Sequence, residues 1–298
     1  MQFSTIYGDV CTAIGDLQQA RLAEVKSMIN MIYLGEVLNC DLQRPMYWLR
    51  FLNDSIKTKT ADTVAGVTKA NPGVLTTAAD TFTTGDIVSL YALGGMVELN
   101  NRAVKLTRTS AKTYTMTTLD GTAIDTTNYT TYTSGGTVNH RGATLSKAVR
   151  SIISVNWHGY VEPLTPITAK ELETQTSYWD VTASQPKYYQ HVKTFSATGT
   201  EVDMILWFLL PDTNYQMRIW FEYSPGELSA TTDYPILPPQ FHPALTSGAI
   251  ARLGENKVQL EAGQVWPALY KMQLEALISY NRKLWSEYET QRSKPYLQ

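Results

Sequence analysis

Tyr234-Pro235-Ile236-Leu237-Pro238-Pro239 opens the stretch that decides the fold class, because the residues after it read as helix and those before it read as strand. The proline-rich lead-in is followed by a helical segment expected from Phe241 to Leu253 and a polar Gly254-Glu255-Asn256-Lys257 turn. A long helix is expected from about Val258 to Tyr288, and then a polar tail, Gln291 to Gln298. Along the long helix Val265, Leu269, Met272, Ala276, Tyr280 and Leu284 recur at helical spacing. That stripe is expected to pack against the N-terminal helix, with Lys271, Glu275, Arg282, Lys283 and Glu289 on the other sides. Two unequal helices and a tail suit sideways packing and outward reach better than chemistry.

Upstream of that ending, the strand signal is strict. Tyr215, Met217, Ile219, Phe221 and Tyr223 alternate with Gln216, Arg218, Trp220 and Glu222, so one face meets a core and the other points outward. Before it lie a Pro211-Asp212-Thr213-Asn214 turn, an apolar strand from Met204 to Leu210, a strand opening at Gln185-Pro186-Lys187-Tyr188-Tyr189-Gln190, and another from Val149 to Trp157. Thr168 stands three residues before Glu171, the spacing of a capping box for a short helix from Ile167 to Glu173.

The N-terminal stretch is helical again. Val10, Ile14, Leu17, Val25, Met28 and Ile32 define an amphipathic helix between Tyr7 and Leu34. Gly8 and Gly15 weaken its start by roughly 1 kcal/mol each, so the dependable part is expected from Asp16 onward. Asn39-Cys40-Asp41 and Pro45 announce a second short helix over Met46 to Leu52.

At Lys57 the composition changes. From Thr58 threonine dominates, and short strand signals at Asp86–Tyr91, Ala103–Leu106 and Thr113–Met116 alternate with turns at Asn71-Pro72-Gly73, Gly94-Gly95, Asn100-Asn101 and Asp120-Gly121. The fold class expected is α+β. A helical bundle of N-terminal helices plus the long C-terminal helix joins an antiparallel β-sheet, and a small all-β module is inserted. The core is expected over residues 1–57 and 139–298 and the module over 58–138.

Composition narrows function. Charged residues make up 17% of the chain, against about 25% in ordinary soluble domains, which fits a surface covered by neighbours or a Thr-rich solvated surface alike. A net charge of -2 gives no general electrostatic reason to bind nucleic acid. Cys11 and Cys40 share no metal or redox spacing and read as free thiols. Met1 to Val10 lacks the basic start and apolar run of a signal peptide, and Met204 to Leu210 is far short of a membrane span, so the chain is expected to be soluble. His140, His158, His191 and His242 are scattered, and no nucleophile elbow, zinc motif or phosphate-binding loop is present. No cofactor and no catalytic residue is therefore expected. Glu173, Asp180, Asp203 and Glu222 are the carboxylates that a glycosidase pair would draw on. Trp157, Trp179, Tyr188, Tyr189, Trp207, Trp220, Trp266 and Trp285 suit a carbohydrate platform or a subunit interface alike.

Asp86-Ile87-Val88-Ser89-Leu90, with Gly94-Gly95-Met96-Val97-Glu98-Leu99-Asn100-Asn101-Arg102 after it, resembles a pattern of tailed-phage structural proteins. The module, roughly Val64 to Val138, is similar to the small β-barrel named after the first catalytic-cysteine half-domain of ubiquitin-activating enzymes. It departs at Asn101, where glycine is usual, and it holds no cysteine, so no thioester chemistry carries over. The remaining parts, in order, resemble the head-to-tail adaptor (connector) proteins of tailed bacteriophages. The resemblance rests on Ile152 to Leu164, Gln185 to Tyr189, the strands around Pro211 to Tyr215, Leu237 to Leu245, and the helices Ala249 to Leu253 and Trp266 to Tyr288.

That resemblance implies a virion protein, made in the host cytoplasm, that forms a homo-oligomeric ring, commonly twelvefold, between the portal protein and a tail nozzle or tube protein. DNA would pass through its channel without sequence-specific binding, and no membrane is involved. Arg292, Ser293, Lys294, Pro295, Tyr296, Leu297 and Gln298 would dock on the portal, and Gly94, Gly95, Met96, Glu98 and Asn101 would contact the tail or its fibres. The alternative from another class is a carbohydrate-binding or glycan-cleaving tail protein.

Overall fold

Both ends of the chain contribute to one body. In the computed structural model the polypeptide divides into two compact units, Met1–Arg50 with Ser224–Gln298, and Phe51–Tyr223. Residues 1–16, 20–160, 162–168, 170–171, 183–196, 199–254 and 265–292 are described, with backbone alone for 183, 254, 291 and 292. The fold is α+β, as expected, with helices at both ends and mainly antiparallel sheets between.

The helical unit consists of α1 (Phe3–Ala13), α2 (Leu22–Asn30), α3 (Pro243–Gly254) and α4 (Val265–Arg292). Helix α2 continues through a π-helical turn over Met31–Glu36 and a 3₁₀ turn over Val37–Asn39. Helix α3 is the hub, meeting α1, α2 and α4. Its small residues make this possible, since Ala244, Ala249 and Gly248 let larger neighbours close in. A Cβ on Gly248 would lie 2.8 Å from the Tyr270 ring and 3.1 Å from Ile32. Around the hub Phe3, Ile6 and Val10 of α1, Ile29 and Ile32, and Leu277 of α4 are fully buried.

Three local readings are corrected by the structure. The single helix expected from Tyr7 to Leu34 is two, and the half discounted for Gly8 is sound. Burial of Phe3, Ile6 and Val10 outweighs the roughly 1 kcal/mol that a mid-helix glycine costs. Gly15, with φ of +76°, ends α1, and the Asp16 carboxylate accepts from the N–H groups of Ala20 and Arg21 just before α2. The helix expected over Met46 to Leu52 is one 3₁₀ turn, Tyr47–Leu49, followed by a strand.

The third correction concerns α4. Met272 and Val265 are about 60% exposed, and the buried positions are Tyr270, Leu277 and Asn281. The inward stripe is rotated onto Trp266, Tyr270, Leu274 and Leu277, which pack in the helical core, and hydrogen bonds at Asn281 hold its far end. Asn281 Oδ1 accepts from Tyr47 N–H (2.8 Å), its amide donates to Asp41 and to Pro45 O, and Trp285 Nε1–H donates to Pro45 O at 2.9 Å. Helix α4 runs past Tyr288 to Arg292, while Val258 to Gln264 and the tail from Ser293 lie outside the described residues.

The second unit is built from strands. They are β1 (Arg50–Asn53), β2 (Asp62–Val67), β3 (Val74–Thr77), β4 (Asp86–Tyr91), β5 (Ala103–Ser110), β6 (Thr113–Thr117) and β7 (Thr137–Thr144). They continue with β8 (Val149–Trp157), β9 (Thr165–Pro166), β10 (Ala183–Ser184), β11 (Tyr188–Phe195), β12 (Glu201–Phe208), β13 (Leu210–Pro211) and β14 (Met217–Tyr223). The order β2-β3-β6-β5-β4-β7 closes on itself through β2–β7 pairing, giving a six-stranded barrel. Alternation explains it. Val104 and Leu106 of β5 and Tyr114 and Met116 of β6 are buried, while Lys105 and Thr115 between them are not.

Strand β7 does not stop at the barrel. Its first residues, Thr137 and Val138, pair with β2, and Gly142, Ala143 and Thr144 pair with Leu206, Ile205 and Met204 of β12. The sheet then continues through β11 to β9. The strand thus runs unbroken through residue 138, where the module's edge was expected. A separate sheet has the order β1-β14-β8, and in β14 Met217, Ile219 and Phe221 are buried, as the alternation required. The Thr168–Glu171 capping box is present, with Thr168 N–H donating to Glu171 at 2.7 Å and Glu171 N–H to Thr168 Oγ1 at 3.3 Å.

The rotated stripe is testable. Leu277→Ala is expected to cost about 2–5 kcal/mol in chemical denaturation followed by tryptophan fluorescence. Met272→Ala, on the expected but exposed stripe, should stay within about 0.5 kcal/mol of the wild type.

Candidate functional site

The motif residues Gly94 to Arg102 link β4 to β5, and the turn is clasped by the segment from Tyr129 to Ser134. Gly94 N–H donates to Ser134 O and Thr133 N–H donates to Gly94 O, both at 2.9 Å. A Cβ on Gly95, whose φ is +89°, would lie 2.0 Å from Thr131 O, and one on Gly94 would lie 2.7 Å from Ser134 O. Met96 is fully buried in the barrel core. Asn101 takes φ of +61°, a backbone conformation that asparagine tolerates, and its N–H donates to Leu90 O at 2.7 Å. Glu98 accepts from both the N–H and the hydroxyl of Thr130 (2.8 and 2.9 Å), and the backbone bond holds its carboxyl below the usual range. Arg102 donates to the Tyr129 hydroxyl at 3.0 Å.

Of the five residues expected to touch a tail or fibre, Gly94, Gly95 and Met96 are therefore committed to the barrel itself. Glu98 and Asn101 lie at its surface beside Val97, which is 58% exposed. Val97, exposed between the buried Met96 and the exposed Glu98, is not among the residues singled out from the sequence.

Where the barrel meets the sheet, a charged cluster is buried. Asp86, at the start of β4, forms an ion pair with Lys59 and accepts from Thr83 N–H at 2.7 Å. His140 of β7 is fully buried, with its ring edge-on to Trp207 at 4.7 Å. Its Nδ1 accepts from Lys59 N–H at 2.9 Å, which leaves the proton on Nε2, 3.5 Å from Asp86 Oδ1. At that length the contact is electrostatic rather than a good hydrogen bond. Burial alone would raise the Asp86 carboxyl, but His140 and Lys59 outweigh it and bring the group to about 2. Burial pushes the His140 imidazole down, so it stays neutral. The contacts of Lys59, Asp86 and His140 tie β4 to β7 and to the segment before β2.

A hollow of about 330 Å³ lies in the sheet unit, lined by Trp157, Tyr160, Glu162 to Thr165 and Gln185 to Tyr188. Trp157 Nε1–H donates to Pro186 O at 2.8 Å, and Thr165 N–H to Lys187 O at 2.9 Å, so its two walls are tied together.

Of the carboxylates considered for glycan cleavage, the two described ones, Asp203 and Glu222, are not brought together. Asp203 of β12 is buried against His191 (2.6 Å) and Val149 N–H (2.9 Å), while Glu222 of β14, on another sheet, accepts from Ser151 at 2.9 Å. Glu173, Asp180 and Trp179 lie outside the described residues. Among the described residues no group of His, Cys, Asp and Glu is placed to hold a metal ion, and no helix is long and apolar enough to cross a membrane. Burial, with Asp41 adding to it, pushes the Cys40 thiol up to about 11, so it is not a thiolate at neutral pH. Of the proposed docking tail, Arg292 closes α4 and Ser293 to Gln298 lie outside the described residues.

Residues 70–141 match the family model of the ubiquitin-activating enzyme E1 FCCH domain. The match begins just before β3 and ends inside β7, so it takes in most of the barrel. Cys11 and Cys40, the two cysteines of the chain, lie outside it. No curated protein matches the chain.

Gly95→Ala is expected to destabilise the protein by roughly 2–4 kcal/mol in thermal or urea unfolding, because the carbonyl of Thr131 occupies the place of the new methyl. The buried cluster predicts an acid dependence. A carboxyl held at about 2, below its free value near 3.9, contributes stability above the free value that disappears as pH falls through the folded one. Neutral His140 acts in the same direction at higher pH, since the unfolded chain takes up its proton first. Denaturation midpoints should therefore decline on acidification below about 6.5 and again between about 4 and 2. In Asp86→Asn the lower decline should flatten, by on the order of 2 kcal/mol, with reduced stability at neutral pH.

Proposed function

We propose that this chain is a structural connector subunit of a tailed bacteriophage. Identical copies close a ring between the portal protein and the tail nozzle or tube, and the genome passes through the central channel. The observation that carries the reading is the arrangement of the helical unit, in which both chain ends supply helices and α4 buries only one side. At 28 residues α4 is about 42 Å long, and Val265 and Met272 stand exposed among Lys271, Glu275 and Lys283 on its outer side. A long helix with a mixed apolar and charged free face suits repeated side-by-side contact, and many identical contacts of that kind close a ring.

The remaining features fit a structural part. The barrel's motif glycines serve its own fold, Lys59, Asp86 and His140 contact one another, and the two described carboxylates, Asp203 and Glu222, stand on different sheets. The barrel surface at Val97, Glu98 and Asn101 is the candidate contact for tail or fibre proteins, and the segment from Arg292 to Gln298 is the candidate portal hook. Each hook is short and its affinity modest, and the ring multiplies it into a persistent joint. DNA is a passenger without base-specific contacts, consistent with the net charge of -2.

Deletion of residues 291–298 in the virus is expected to leave filled heads that fail to acquire tails, scored by electron microscopy of lysates. Normally tailed particles from that deletion would overturn the docking assignment. Purified full-length protein mixed with its portal should give rings in negative stain, and portal particles that remain bare would overturn the connector reading itself.

A further inference from the structure

The hollow in the sheet unit has the composition of a saccharide site. We propose that it binds a pyranose unit of a glycan, stacked on Tyr160 and hydrogen-bonded by Glu162, Gln185 and Lys187. This goes beyond the connector reading and does not depend on it. Its volume of about 330 Å³ lies at the small end of the roughly 300–1,000 Å³ range of ligand pockets.

The aromatic part is already held in place. Trp157 is pinned through its Nε1–H to Pro186 O, and Tyr215 packs against it with ring centroids 5.4 Å apart. The Tyr160 ring meets the same Tyr215 edge-on at 6.2 Å, and Tyr215 is fixed in turn by its hydroxyl bond to Asp212 at 2.7 Å. Tyr160 nonetheless keeps 49% of its surface open, so a supported ring presents a free face. The backbone is equally fixed, with Leu164 N–H bonded to Val155 O at 2.8 Å and Thr165 N–H to Lys187 O at 2.9 Å. Little ordering is left to be done on binding, which is where loose sites lose affinity.

The polar part is unspent. The side chains of Glu162, Gln185 and Lys187 have no hydrogen-bond or ion-pair partner among the described residues. The three offer an acceptor, an amide that both donates and accepts, and a donor. A sugar ring matches that set, because its hydroxyls donate and accept around its edge while its C–H face lies against an aromatic ring. A proline-rich peptide would use the aromatic and proline surfaces but has no N–H on its prolines to offer Glu162.

The test uses the full chain on an array of neutral and bacterial-surface oligosaccharides, followed by saturation-transfer NMR and titration with a bound one. Binding of at least one saccharide is expected, with ring C–H protons receiving the saturation. Tyr160→Ala should weaken it roughly tenfold or more and Tyr160→Phe should retain it. Glu162→Ala, at an exposed position with no side-chain partner among the described residues, should also weaken it with the fold intact, whereas Tyr91→Ala on the barrel should change nothing. The proposal is overturned if no saccharide on the array binds, if binding survives both Tyr160→Ala and Glu162→Ala, or if a proline-rich peptide binds through Tyr160 and no sugar does.

Discussion

One strand carries the organisation of the sheet unit. Strand β7 pairs with β4 along nearly its whole length, and on its other side it serves two neighbours in succession, β2 at Thr137 and Val138 and β12 from Gly142 to Thr144. A strand has only two edges, so the second edge must change partner part-way. The change happens around His140 and Arg141, opposite the bulge between Ile87 and Val88 in β4. Gly142 permits it, because a Cβ there would lie 2.5 Å from Ile205 O. The buried Lys59–Asp86–His140 group sits at this fork, and the Trp207 indole donates to His140 O at 3.0 Å from the β12 side. Backbone pairing, a close glycine contact and a largely buried ion cluster all enforce one junction.

The junction bears on function. A barrel hung on flexible linkers would sample many orientations, and a contact made through it would have to order it first. A barrel that shares a strand with the next sheet presents Val97, Glu98 and Asn101 in a fixed place relative to that sheet. On the connector proposal, such fixed projections repeated around a ring would form a regular array of contacts. The helical unit follows a similar economy. Small residues on α3 let aromatic and aliphatic neighbours close in, and Asn281 fixes the rotation of α4 through several hydrogen bonds.

Much of the architecture was legible in the sequence where one physical signal dominated. The alternation of Met217, Ile219 and Phe221, the Thr-rich strands with their turns, the Thr168–Glu171 box and the α3 segment all stand as read. The misreadings share a cause, since each depended on a partner distant in sequence. Helix α1 survives Gly8 because of what Phe3, Ile6 and Val10 pack against, and the turn at Tyr47 is held by Asn281, far along the chain. The rotation of α4 was hidden because two apolar stripes compete along it, Val265 and Met272 on one side and Trp266, Tyr270, Leu274 and Leu277 on the other, and only the packing and the Asn281 bonds decide between them. The Gly94-Gly95-Met96 motif was readable as a turn, but only the structure shows that its glycines make room for Thr131 and Ser134. The hollow left no motif, since its walls come from separate stretches of the chain joined by backbone bonds, as in Leu164 to Val155 and Thr165 to Lys187.

The central structural claim, that barrel and sheet are one body joined through β7, is tested most directly by native-state hydrogen exchange. If β7 joins them, the amides of β4, β7 and β12 should open with one common free energy, and denaturant should shift them together. Protection that survives in the barrel strands β3, β5 and β6 while β11 and β12 exchange at a distinctly lower free energy would contradict it, showing two independent units that merely adjoin in sequence.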